Sequence, residues 1–139
     1  EGAVWNGTAQ VAGTLNPGDA PESAAGALLT AENLVLGTNV TYRCDWAPAA
    51  NDFVDVWGAL TVNGAGRIDL GLTELGQMPG RPRLRSFPVM TYTSITGAGN
   101  FSQWKVTGIG RPARASVSAA DGVVTVNLEV FSGLLLIMR

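Results

Sequence analysis

Five carboxylates, Asp45, Asp52, Asp55, Asp69 and Glu74, crowd one stretch of the sequence. A pair of them held a few ångströms apart would serve glycoside hydrolysis, one as general acid and the other as base or nucleophile. Their setting argues otherwise, because they alternate with apolar residues as solvated carboxylates do on the outer face of strands. The 139 residues include no histidine, which removes triads built on His, His-based zinc sites and imidazole proton switches. The expectation is a protein that is not an enzyme, with no catalytic residue, no metal and no cofactor.

Binding chemistry is better represented. Trp5, Trp57 and Trp104 stand beside Gly or polar residues, where an exposed ring could stack on a sugar; the competing use of each is in a core or a subunit interface. Trp57 is the best placed, opposite the apolar set Val54, Val56, Leu60 and Val62. The run Arg81-Pro82-Arg83-Leu84-Arg85 is the one charge cluster, in a chain with a single lysine. Arg81, Arg83 and Arg85 form a comb suited to acidic side chains of a neighbouring subunit or to an acidic polysaccharide. The alternative is a solvated loop stiffened by Pro79, Pro82 and Pro88. A net charge of −2 gives no electrostatic basis for nucleic-acid binding. Sequons at Asn6, Asn39 and Asn100 offer glycosylation acceptors. The stretch from Asn63 to Gly71, NGAGRIDLG, is similar to a glycine-rich calcium repeat, but Gly66 and Asp69 are one residue too far apart and the unit does not recur. Cys44 has no second cysteine to pair with and reads as a buried, inert thiol.

Alternation with period two organises the chain around these residues. Val54, Val56, Leu60 and Val62 share one face, with Asp55, Trp57, Thr61 and Asn63 opposite. Ile68, Leu70 and Leu72 resume the apolar face after the Asn63-Gly64 turn signal. Val40, Tyr42, Cys44 and Trp46 oppose Thr41, Arg43 and Asp45, and Val124, Val126, Leu128 and Val130 oppose Thr125, Asn127 and Glu129. Gly and Pro punctuate the gaps and leave no long helical window; the one helix-friendly stretch, residues 20–32, has poor apolar spacing. The longest apolar run, Leu134, Leu135, Leu136, Ile137 and Met138, is far short of the roughly 20 residues a membrane-spanning helix needs. Residues 1–139 are expected to form a single all-β domain with at most one short helix and no membrane span. A start at Glu1 with no leader suits a mature secreted protein.

An internal echo suggests the architecture. Gly26-Ala27-Leu28 leads to a Leu36-Gly37 ending, and Gly58-Ala59-Leu60 leads to a Leu70-Gly71 ending. Aligning the glycines sets Gly58 as the recurrence of Gly26 and Gly71 as that of Gly37. Short strands bounded by Gly at loose intervals are what a parallel β-helix, or β-solenoid, looks like in sequence. The alternative is a β-sandwich of Ig-like or jelly-roll type.

An ordered series of phrases carries a resemblance. Residues 12–28, AGTLNPGDAPESAAGAL, give Gly-x-Leu-x-Pro-Gly and then a Gly-x-Leu strand. Residues 32–46, ENLVLGTNVTYRCDW, add a strand with a Leu-Gly ending and a second strand. Residues 51–71, NDFVDVWGALTVNGAGRIDLG, follow an Asp-x-Val-x-Val-x-Gly-x-Leu-x-Val-x-Gly line. Residues 87–108, FPVMTYTSITGAGNFSQWKVTG, run from a strand through a Gly-rich bend to Phe-x-x-Trp. Together they resemble the C-terminal passenger region of autotransporter-associated β-strand repeat proteins, which are large bacterial surface proteins. The resemblance implies a right-handed parallel β-helix, display at the cell surface, and structural or adhesive duty without catalysis.

With only 14% charged residues, against about 25% in an average protein, the surface is weakly polar and suited to being covered by copies of itself. The expectation is a structural subunit of an extracellular or cell-surface filament, self-assembling head to tail as a homopolymer through terminal strands. The joint would use Val4, Trp5, Val11 and Leu15 at one end and Leu134, Leu135, Leu136, Ile137 and Met138 at the other. The alternative is a carbohydrate-binding or adhesin β-sandwich module with surface polysaccharide as partner.

Overall fold

The computed structural model describes residues 3–17, 28–44, 46–47, 50–70, 84–108 and 113–130. These lay down four successive passes of strand. The first gives β1 (Ala3–Val11) and β2 (Thr14–Leu15), the second β3 (Leu28–Leu36) and β4 (Val40–Cys44). After the short antiparallel pair β5 (Trp46–Ala47) and β6 (Ala50–Asn51), the third gives β7 (Phe53–Val56), β8 (Ala59–Val62) and β9 (Gly66–Leu70). The fourth gives β10 (Leu84–Thr91), β11 (Ser94–Thr96), the 3-10 helix Ala98–Gln103 and β12 (Lys105–Thr107). Last come β13 (Ala113–Ala120) and β14 (Val123–Val130). Among the described residues no helix is long and apolar enough to cross a membrane.

Each pass pairs parallel with the one before it. In the larger sheet β3 carries β1 on one edge and β7 and β8 in tandem on the other, and β10 and β11 then pair with β7 and β8. The second sheet is parallel throughout, in the order β12, β9, β4, β2. Leu29 lies beside Ala3 and Val54 beside Leu29, while Thr41 lies beside Thr14 and Arg67 beside Thr41. The step along the chain is therefore nearly the same in both sheets over the first three passes. It lengthens at the fourth, where Met90 lies beside Val54 and Lys105 beside Arg67. The recurrence read from the glycines is not the register. It aligned Leu28 with Leu60, whereas the strands place Leu28 beside Phe53 and Leu34 beside Leu60.

Stacking in register gathers apolar residues from separate passes into columns. Ala9, Leu34, Leu60 and Ile95 form one, Leu15, Tyr42, Ile68 and Val106 a second, and Val11, Leu36 and Val62 a third. The leucines, Tyr42, Ile68 and the two valines of the third column are buried, with Ala9, Ile95 and Val106 packed against them. Each fully buried side chain of this size contributes about 1.5–3 kcal/mol. In β3 the inward parity slips from Leu29 and Ala31 to Leu34 and Leu36. The slip falls at the level of the register shift in β1 between Trp5 and Thr8, and of the break between β7 and β8 at Trp57-Gly58. Gly58 is required there, since a Cβ would run into the Asn33 side chain and the Glu32 carbonyl. The Asn33 Oδ1 accepts the Ala59 N–H at 2.9 Å, which ties the second pass to the third.

An antiparallel hairpin closes the described chain. β14 pairs with β10 and β13 with β14, joined at Asp121 and Gly122, whose φ values of 56° and 83° are what a two-residue hairpin turn of type I′ demands. Val117, Val124, Val126 and Leu128 turn into the core. Phe-x-x-Trp supplies a further core contact, with the Phe101 and Trp104 rings edge to face and their centroids 5.0 Å apart.

The protein is mostly β, in agreement with the all-β expectation. An Ig-like or jelly-roll sandwich needs antiparallel sheets, whereas here the antiparallel pairs among the described residues are confined to β5 with β6 and to β10 with β14 and β13. The helix-friendly stretch also resolves differently, since its residues 28–32 open β3; its residues 20–27 lie outside the described residues.

Candidate functional site

The residues expected at a terminal joint divide by burial. Val11 and Leu15 are 9% and 1% exposed, their side chains taken into the core in columns with Leu36 and with Tyr42. Trp5 is half-buried against the same core. Val4 is the outward residue, 59% exposed. β1 pairs with β3 and β2 with β4 on one side. Among the described residues no strand pairs with their other edges. Leu134, Leu135, Leu136, Ile137 and Met138 lie outside the described residues.

The tryptophans likewise separate. Trp57 is 54% exposed at the break between β7 and β8, its backbone held by Trp57 N–H donating to the Ala31 carbonyl and by the Thr93 hydroxyl donating to the Trp57 carbonyl. Trp104 is 5% exposed, and its Nε1 donates to the Gly64 carbonyl at 2.8 Å. Its ring is part of the core and offers no face to a sugar, which corrects the sugar-contact expectation for that residue. Of the arginine comb, Arg81 and Arg83 lie outside the described residues, and Arg85 belongs to β10.

Among the sequons, Asn6 and Asn39 are exposed, Asn39 with a left-handed φ of 60°. Asn100 is half-buried, and its Nδ2 donates to the Val62 carbonyl at 2.7 Å. The described carboxylates hold separate places. Asp55 accepts the Thr91 hydroxyl at 2.8 Å on the larger sheet, Asp69 accepts the Thr107 hydroxyl at 3.2 Å on the second, and Asp52 is buried. Asp45 and Glu74 lie outside the described residues. No cluster of three His, Cys, Asp or Glu side chains suited to a metal ion occurs among the described residues. Cys44 is buried as expected, its thiol donating to the Asp52 carbonyl at 3.3 Å. Beside it, burial pushes the Tyr42 phenol well above its ordinary pKa, and Cys44 and Asp52 push it in the same direction.

One arrangement was not foreseen. On the outward face of the second sheet, Thr14, Thr41, Arg67 and Lys105 stand side by side across β2, β4, β9 and β12. Arg67 and Lys105 are both exposed and flank a groove of about 350 Å³ that Asn39, Gln103 and Thr107 also line. Far apart in sequence, the two cations meet only through the register. The one signal available beforehand was that both fall on the polar parity of strands. No family model, curated protein or solved structure matches the chain.

Proposed function

We propose that the chain is a parallel β-solenoid module of a structural, extracellular or cell-surface assembly, and that it joins a second copy of itself through the outer edge of β1. The observation that carries this reading is the unpaired outer edge of β1. At the fourth pass β14 takes the edge of β10 and leaves β11, β12 and β13 as edges, whereas the first pass leaves β2 and the nine-residue β1 paired on one side only among the described residues. An edge strand with free N–H and C=O groups and an exposed Val4 is a template for strand addition. The occupant is the run Leu134 to Met138 of the next copy, apolar on both parities and therefore in need of cover on both faces. A joint of this kind between unlike surfaces does not close on itself and generates a polymer. The solenoid fold draws support from four parallel passes in chain order with a nearly constant step between the first three, and from the resemblance to autotransporter passenger regions. Sedimentation velocity with negative-stain microscopy is the test. Fibres that dissolve into monomers on Val4→Lys, or on deletion of residues 134–138, are expected; a wild-type chain that stays monomeric at high concentration overturns the joint.

A second reading, a carbohydrate-binding role, rests on Trp57, whose ring is exposed and whose backbone is held by two hydrogen bonds. Tryptophan fluorescence titration with neutral polysaccharides, compared between wild type and Trp57→Ala, decides it.

A further inference from the structure

We infer that the groove beside Arg67 and Lys105 binds an anionic sugar unit, a uronate or a sulfated residue of an acidic glycan. Lys105 sits directly beside Arg67 in the register of β12 and β9, so their Cα atoms are about one strand spacing, ~4.8 Å, apart. Like charges placed so are unfavourable unless an anion joins them. Among the described residues neither side chain has a hydrogen-bond or ion-pair partner, in contrast to Arg114, which faces Glu129 at 3.8 Å. The neighbour of Arg67 on its other side is the uncharged Thr41. The acid nearest in register, Asp69, lies two positions along β9 and accepts the Thr107 hydroxyl.

The shape of the groove indicates a sugar rather than a bare ion. Its volume of about 350 Å³ is roughly ten times the ~30 Å³ share of a water molecule. The floor is firm: Gly66 has no Cβ, and one built there would meet the Trp104 ring at 2.7 Å, while Trp104 is itself tied to the Gly64 carbonyl. Two cations can hold a carboxylate or sulfate oxygen, the amides of Asn39 and Gln103 supply donors and acceptors for ring hydroxyls, and the Thr107 hydroxyl, its proton given to Asp69, supplies an acceptor. This site lies on the second sheet, away from the Trp57 corner, and does not depend on the joint at β1.

The test is a titration of the ¹⁵N-labelled full chain, followed by amide shifts, with an oligogalacturonate, a sulfated oligosaccharide, a neutral maltooligosaccharide and inorganic phosphate. Shifts centred on residues 39, 66–67 and 103–107 are expected with an acidic sugar, the carboxylate and sulfate arms showing which acid is preferred. Affinity should fall about threefold in Arg67→Gln and in Lys105→Gln and about tenfold in the double variant, and it should weaken with added salt. The inference is overturned if neither acidic sugar shifts these amides, if the neutral sugar or phosphate binds as tightly, or if the double variant keeps wild-type affinity. Both side chains are exposed, so the variants should fold, as circular dichroism would verify. Should the double variant unfold, Lys105→Gln alone decides.

Discussion

Replacing Tyr42 by Phe isolates one buried hydrogen bond and one buried ionisation. The Tyr42 ring is fully buried, and its hydroxyl donates to the Val89 carbonyl at 2.8 Å. Val89 stands where the β10–β14 ladder slips between Pro88 and Met90, so the side chain serves a carbonyl at an irregular point of the sheet. Tyr42→Phe removes that donor inside the core, which costs about 1–3 kcal/mol, and each kcal/mol lowers Tm by roughly 3–4 °C in a chain of this size. A second signature follows from the raised phenol pKa. In the unfolded chain the phenol loses its proton near pH 10, while the folded chain keeps it. Above that pH the unfolded state binds fewer protons, so wild-type stability falls as pH rises, by up to ~1.4 kcal/mol per pH unit relative to the Phe variant. The contribution is complete below about pH 10 and is lost through the interval up to the raised folded value. Urea denaturation of both proteins between about pH 8 and pH 11.5 reads the difference, in which every other titrating group cancels. The gap between wild type and variant should be constant up to about pH 9.5 and then narrow. A gap that stays constant over the whole range would refute the burial of this phenol. Equal stability at neutral pH would refute the bond to Val89.

Gly97 and Gly108 each have positive φ, and a Cβ on either would strike the carbonyl oxygen of Val62 or Leu70. Gly97→Ala and Gly108→Ala should therefore each cost more than about 2 kcal/mol, measured by denaturant titration. Leu60 is 0% exposed in the middle of a column, and Leu60→Ala should cost about 2–5 kcal/mol with the denaturant slope unchanged. The buried Cys44 thiol should resist labelling by a thiol reagent in the native protein and react fully in urea; rapid native labelling would contradict its place beside Asp52.

Where one strand faces the core on one side, the sequence already showed which side. Val54, Val56, Leu60 and Val62 are all buried, as are Val40, Tyr42 and Cys44, because a period of two leaves only one consistent face. The register between strands was not legible. Glycines mark where the backbone turns or is approached closely, as at Gly58 beneath Asn33, and such places need not recur at the step of the stacking. The same blindness hid Arg67 and Lys105, which become neighbours only when β12 is laid on β9. It also hid the burial of Val11, Leu15 and Trp104, which depends on what other passes bring against them. Trp57, by contrast, was readable from its own parity alone.

The nearly constant step between the first passes bears on how the chain acquires its structure. Closure entropy grows only with the logarithm of loop length, so adding β3 to β1, or β7 to β3, closes loops of nearly equal size and carries nearly the same entropic penalty. Among the described residues no strand of the first two passes waits for a partner from the far end of the chain. The hairpin of β13 and β14, closed by two residues in the left-handed region, is local and can form without any of them. Order can thus spread by accretion, one pass onto the next. In the monomer, native-state hydrogen exchange among the long described strands should then be fastest in β1 and β13, which pair on one side only, with protection rising from β1 towards β7 and β8.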